Sequence, residues 1–292
     1  GSGKTPMAEY LIELLAKSYR VAMLSRGYGR QTQGFRWVDV QDSSDHVGDE
    51  PLQVKRKFPE IPVAVCENRL DGIEQMLKTC KLDLVILDDA LQHRGILPDI
   101  RLLLTPAARP FWADYLFPVG KLRDLKSRSR AADAWVITKC GLHHQERVDE
   151  ARATPWAEGI QVFSSSVRYG DVQVVHAPPS AGIRKVVGIA GLADSTDFEA
   201  HLRTQFEVIE FVQFRDHHAY SLDEITRVWD RNHHFADAII TTEKDWMRFL
   251  HLQIPSHIAY GFIPIKTEMH DPHRFQDWIL QKIKTHIPKD AS

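Results

Sequence analysis

Three places in this 292-residue chain carry side chains whose types and spacing could move a phosphoryl group. The first is Gly1-Ser2-Gly3-Lys4-Thr5-Pro6, which matches the closing half of a phosphate-binding loop. In such a loop (GxxxxGK[ST]) backbone N–H groups wrap the phosphates, the lysine reaches the β- and γ-phosphates, and the next hydroxyl ligates Mg2+. Gly3, Lys4 and Thr5 fill the last three slots. The loop's first glycine and the strand feeding it would precede Gly1, so the sequence is expected to start inside the motif. A flexible turn is the plainer reading. The second place is Leu84-Val85-Ile86-Leu87-Asp88-Asp89, an apolar run ending in two carboxylates at the C-terminal edge of an expected strand, where α/β sheets bind ligands. A hard cation takes such oxygens, so Thr5, Asp88 and Asp89 are candidate Mg2+ ligands, with a turn and helix cap as the alternative. Gln92 and His93 follow and could orient phosphate or substrate, or simply cap and meet solvent. The third is Val47-Gly48-Asp49-Glu50-Pro51, a rigid loop able to hold a carboxylate where a kinase needs a proton acceptor for a substrate hydroxyl. An N-cap on a helix starting at Pro51 competes with that reading.

Two further segments carry candidate chemistry. Phe111, Trp112, Tyr115 and Phe117 precede a basic stretch in which Lys121, Arg123, Lys126, Arg128 and Arg130 stand against one acid, Asp124. Aromatics beside cations suit a lipid headgroup interface or a phosphorylated amphiphile. Aromatics in a core and basics on a solvated helix face are the plainer reading. No nucleic-acid module surrounds them, and no nucleic-acid partner is expected. Arg215-Asp216-His217-His218-Ala219-Tyr220 follows an expected strand, and His217 or His218 could orient or polarise a carboxylate base across a cleft between domains. The His-His pairs at 143–144, 217–218 and 233–234 lack zinc-site spacing. Thr241-Thr242-Glu243-Lys244-Asp245 also ends an expected strand and reads as an N-cap with a first-turn acid.

The elements that must position these residues alternate. Met7, Tyr10, Leu11, Leu14 and Leu15 predict a helix over residues 7–17. Strands are expected at 21–24, 62–65, 82–87, 101–104 and 134–138, with a helix at 70–79. Residues 160–179 read as a β-hairpin or linker. A second alternation follows, with strands at 185–190, 206–214, 236–241 and 257–265 and helices at 196–204, 222–232 and 273–284. The expected fold is α/β: a P-loop NTPase-like doubly wound parallel sheet over 1–159, a β-linker over 160–180, and a smaller α/β domain over 181–292. With 43% hydrophobic and 26% charged residues the chain can bury two cores, and a net charge of −2 supplies no global field for nucleic acid or an anionic membrane. The three cysteines are scattered without CxxC spacing, which argues against a disulfide framework and for a reducing compartment. No apolar run approaches the ~20 residues of a spanning helix. Any membrane anchor would lie upstream.

Taken in order, GSGKTP (1–6), SRGYGR (25–30), VGDEP (47–51), DDALQHR (88–94), FPVGKLRD (117–124), VITK (136–139), RDHHAY (215–220) and TTEKDW (241–246) resemble the tetraacyldisaccharide 4′-kinase (lipid A 4′-kinase) family. The resemblance spans nearly the whole chain. It implies an ATP- and Mg2+-dependent kinase that phosphorylates the 4′-hydroxyl of a tetraacylated disaccharide 1-phosphate in lipopolysaccharide synthesis. It also implies peripheral attachment at the cytoplasmic face of the bacterial inner membrane. By the same resemblance Gly1 to Pro6 hold the nucleotide, Asp49 is the base with His217 as its partner, and Glu50, Gln92, His93 and Arg123 line the substrate site. Ala90 stands where a glycine usually follows the paired aspartates, and Lys121 and Asp124 where many members have proline and glutamate. Two rival functions have sequence tests. A GTPase would want [NT]KxD, which Thr138-Lys139-Cys140-Gly141 lacks. A membrane-binding module without catalysis would have no use for Asp49, Asp88 and Asp89.

Overall fold

Short aliphatic runs alternating with helices one apolar face wide form an α/β protein with three sheets. The computed structural model describes residues 2–90, 95–122, 124–176 and 182–286. In chain order these hold α1 (Lys4–Leu15), β1 (Val21–Ser25), β2 (Arg36–Trp37), α2 (Ser44–Val47), α3 (Asp49–Lys57), β3 (Val63–Val65), α4 (Arg69–Thr79) and β4 (Leu84–Leu87). Then come β5 (Leu102–Pro106), a 3-10 turn (Lys126–Ala131), β6 (Ala134–Thr138), α5 (His144–Arg152), β7 (Gln161–Tyr169) and β8 (Gln173–His176). The remainder is β9 (Lys185–Ala190), α6 (Thr196–Gln205), β10 (Glu207–Gln213), α7 (Leu222–Asn232), β11 (Ala238–Thr242), α8 (Glu243–Phe249), β12 (Tyr260–Ile263), β13 (Ile265–Met269) and α9 (Pro272–His286).

These elements pack as two units whose sequence stretches interleave. The first unit combines Ser25–Glu67 with Tyr169–Ile265. Its sheet runs β10-β9-β11-β12-β8, parallel except for β8, which lies antiparallel to β12. A parallel sheet is covered on both faces, and the period of two along each strand sorts the side chains. Val187, Ile189 and Ile239 pack with Ile225, Val228 and Phe249 on one face, while Val186, Ala190 and Ile240 pack with Phe198 and Leu202 on the other. Helix α3 packs on α8, with the Arg56 guanidinium 5.1 Å from the Trp246 ring and Lys57 3.2 Å from Glu243.

The second unit combines Ser2–Leu24, Asn68–Arg168 and the described residues from 266 on. Here β1 pairs in parallel with β4, Val21 opposite Leu84, and a separate sheet runs β13-β7-β6-β5. Its core is built on Trp135, Ile137, Trp112 and Val162.

Several local expectations are corrected. The hairpin over 160–179 does not form: β7 pairs with β6, and β8 with β12. One strand over 257–265 becomes two, β12 and β13, interrupted at Pro264, which has no N–H to donate to a ladder. Helix α1 starts at Lys4, earlier than the apolar period over 7–17 suggested, and α3 at Asp49, earlier than the Pro51 start expected of an N1 proline.

Candidate functional site

The candidate phosphate-loop residues from Ser2 to Pro6 belong to the second unit. Gly3 is the N-cap of α1 at φ 79°, a left-handed conformation that a residue without Cβ adopts freely, so the chain turns into the helix immediately before Lys4. The Thr138 hydroxyl, at the end of β6, donates to the Ser2 carbonyl at 3.0 Å and moors the loop to that strand. Thr5 is buried in the first turn, where unpaired N–H groups and the helix dipole favour an anion. Pro6 occupies the same turn, where a missing N–H costs nothing.

The paired aspartates emerge from β4 into two different environments. Asp88 is buried; its N–H donates to the Leu24 carbonyl at 3.1 Å and its own carbonyl accepts from Arg69 at 3.3 Å. Asp89, in a left-handed conformation at φ 50°, turns outward and pairs with the Lys4 ammonium at 2.8 Å. Helix α1 packs on β4, so one hydroxyl (Thr5) and two carboxylates belong to neighbouring elements. These are hard oxygen donors of the kind Mg2+ takes, and among the described residues no cluster of three His, Cys, Asp or Glu forms a dedicated metal cage. Mg2+ is ordinarily held by one or two carboxylates together with substrate phosphates, and the donor set fits that pattern.

The first unit gathers a separate charged cluster. Gly48 caps α3, so Asp49 and Glu50 occupy its first turn. Asp49 is 5% exposed, and cationic groups crowd it. Arg248 bonds its Oδ2, the Lys244 ammonium lies 3.9 Å away and His217 Nδ1 3.5 Å away. Burial pushes the Asp49 carboxyl up, but the hydrogen bond from His217 and the charges of Lys244 and Arg248 outweigh it and hold it far below the usual carboxylate range. Glu50 pairs with Lys244 at 3.3 Å. His217 takes a left-handed φ of 58° in the turn after β10, and the exposed Tyr28 ring lies 5.2 Å from its imidazole. The neighbouring histidine points elsewhere: His218 stacks on Phe214 and bonds Glu224, which also closes the capping box of α7 with Ser221.

A model of the tetraacyldisaccharide-1-P 4′-kinase (LpxK) family matches residues 1–284. A tetraacyldisaccharide 4′-kinase of Cytophaga hutchinsonii is 34% identical over 98% of this chain and 83% of its own length. The chain belongs to this family. A second 4′-kinase, from Flavobacterium psychrophilum, is 35% identical over 91% of this chain and 79% of its own length. The crystal structure of Aquifex aeolicus LpxK in complex with ATP superposes with a TM-score of 0.73 at 27% identity, covering 97% of this chain and 85% of that one. Family membership makes the chain a tetraacyldisaccharide 4′-kinase, a phosphotransferase of lipid A biosynthesis.

Within this 4′-kinase, Asp49, Glu50 and His217 are brought together in one unit, and Lys4, between Gly3 and Thr5 at the start of α1, pairs with Asp89 in the other. Gly1, Gln92, His93 and Arg123 lie outside the described residues. Sequence reasoning missed Lys244, Asp245 and Arg248 as members of the Asp49 cluster. The available signal was their spacing: residues four apart on a helix share a face, so Lys244 and Arg248 can both reach one carboxylate.

Proposed function

We propose that this 4′-kinase transfers the γ-phosphoryl group of ATP to the 4′-hydroxyl of a tetraacyldisaccharide 1-phosphate with Asp49 and His217 acting as one base unit. The observation that carries the reading is the buried Asp49 carboxylate placed against His217 Nδ1. A carboxyl held so far below its ordinary range stays ionised, but by itself it is a weak proton acceptor. Its charge fixes the imidazole and stabilises any proton the ring takes up, so the pair does what neither group does alone. Phosphoryl transfer asks little covalent chemistry of a protein and much positioning. Lys4 would hold the β- and γ-phosphates at the helix terminus, and Glu50 would orient the acceptor. Thr5, Asp88 and Asp89 would hold Mg2+, which when bound neutralises charge developing on the phosphates. The P-loop NTPase-like reading of the nucleotide domain rests on the Gly3 turn and on the position of Asp88 after a parallel strand.

The acceptor carries four acyl chains, and the segment after β5 offers a surface for them. Asp114, itself buried, accepts hydrogen bonds from Arg109 at 3.1 Å and the Tyr115 N–H at 2.8 Å. A Cβ at Gly120 would lie 2.1 Å from the Tyr115 carbonyl oxygen, so the loop closes tightly on itself. Its outer face exposes Tyr115, Phe117 and Val119, the last two 78% and 82% accessible, next to Lys121. Exposed apolar residues rimmed by cations favour an anionic membrane surface. Among the described residues no helix is long and apolar enough to cross a membrane.

The test is ATP-dependent phosphorylation of a purified tetraacyldisaccharide 1-phosphate. Asp49→Asn and His217→Ala should each lower kcat on the order of 100-fold or more with little change in KM for ATP. Wild-type turnover in either variant overturns the base unit. In parallel, Phe117→Ser/Val119→Ser should reduce sedimentation with anionic vesicles while leaving the melting temperature unchanged; undiminished sedimentation removes this loop from the membrane surface.

A further inference from the structure

We propose that Arg248 is a positioning residue for the phosphoryl transfer, holding the Asp49 carboxylate in register with His217. The inference rests on the reading of Asp49 and His217 as the base unit and adds what keeps that unit in place. The Arg248 side chain is 8% exposed, and a guanidinium taken that far from water needs good partners. It has two carboxylates, one on either side. Nη1 donates to Asp245 Oδ1 at 3.0 Å, and Nη2 donates to Asp49 Oδ2 and lies 3.2 Å from His217 Nδ1. One planar fork therefore touches the proposed base, its partner and a third group.

That third group is anchored to the backbone. Asp245 is fully buried; its Oδ2 accepts from the Gly191 N–H at 2.9 Å and the Thr242 hydroxyl at 2.8 Å, while its own N–H donates to Thr242 Oγ1 at 3.1 Å. Gly191 follows β9 and Thr242 ends β11. A line of charge-assisted bonds thus runs from the ends of two central strands through Asp245 and Arg248 to Asp49, and such bonds are short, strong and directional. Lys244 is the weaker restraint, because its ammonium is 3.9 Å from Asp49, partly exposed and shared with Glu50. A point charge on a flexible stem gives less geometry than a fork. Arg248 is buried while His217 keeps 33% of its side chain accessible, so the histidine, and not the arginine, is the group open to an acceptor hydroxyl.

The inference predicts a loss in turnover and not in binding. With the purified full chain, ATP and the lipid acceptor, Arg248→Met should lower kcat on the order of 10- to 100-fold while both KM values stay within about threefold. Arg248→Lys should recover much of that loss, since an ammonium can still grip Asp49, though it cannot span both carboxylates. The double variant Asp49→Asn/Arg248→Met should be no slower than Asp49→Asn alone, because a holder without its carboxylate has nothing to align. Wild-type kcat in folded Arg248→Met, an effect confined to KM, or losses that multiply in the double variant would each overturn the proposal. If Arg248→Met fails to fold, Arg248→Gln and Arg248→Lys carry the test: kcat higher in Lys than in Gln supports it, and equal values overturn it. Asp49→Asn with wild-type kcat would sink the base unit and this inference together. An impaired Asp49→Asn beside a wild-type Arg248→Met would sink this inference alone.

Discussion

Asp49 and His217 illustrate how much a site depends on pairs and how little on residue type. If they act as one unit, their losses do not multiply: we expect Asp49→Ala/His217→Ala to turn over within about threefold of the slower single variant, measured at saturating ATP and lipid. His218→Ala should cost much less kcat, because its ring is engaged by Phe214 and Glu224. The Asp49 charge also has a pH signature. Folding lowers its carboxyl below the unfolded value, so the stability it contributes is present above about pH 4 and is lost as pH falls through and below that range. Thermal melts from pH 6 downward should therefore show a shallower acid loss in Asp49→Asn than in the wild type. An identical acid limb in both would mean that the cations around Asp49 hold no such grip. At this scale the sequence was half legible. VGDEP and RDHHAY mark acids and histidines, but their types alone leave His217 and His218 open and only the family resemblance singles out His217, which a backbone φ of 58° turns toward the carboxylate.

Helix ends carry much of the positioning, and the two caps in the first unit separate stability from catalysis. Ser221 caps α7 through a capping box with Glu224, whereas Thr242 caps α8 through Asp245. Ser221→Ala and Thr242→Ala should each cost about 1 kcal/mol of stability, read by denaturant midpoints. Only Thr242→Ala should also lower kcat, because it loosens the aspartate that braces Arg248. Equal kcat in the two variants would detach α8 from the reaction. Elements were the most readable level of the sequence: the alternation of apolar and polar residues marks α7 and β9 close to their observed bounds. The failures have physical causes. The 160–179 segment alternates like a hairpin, yet β7 and β8 find longer-range partners in different sheets. Pairing is a tertiary decision that local pattern cannot register.

At the scale of the whole molecule the chain changes unit after residues 24, 67, 168 and 265. A sequence read as a nucleotide domain, a linker and a second domain does not disclose this, because nothing in the local pattern of 25–67 announces that its helix α3 packs on α8 far downstream. Helix α3 shows the dependence: Arg56 stacks on Trp246, Lys57 pairs with Glu243, and Asp49 is held by Arg248. A fragment of residues 1–159 should therefore melt without a cooperative transition and be cut by protease within 25–67, as followed by circular dichroism and mass spectrometry. A sharp transition with that stretch protected would show that α3 needs no downstream partner. The interleaving also bears on how the polypeptide matures on the ribosome. The first unit lacks β12 until residue 263 has been made, and the second lacks β13 and α9 until still later. The first unit's core takes Ile258 and Ile263, so it cannot close during most of synthesis, and the nascent chain carries an incomplete sheet with open edges for about 15–50 s at ordinary elongation rates. For this enzyme the hazardous interval comes before release, and holding the growing chain apart from its neighbours matters more than speeding any single folding step.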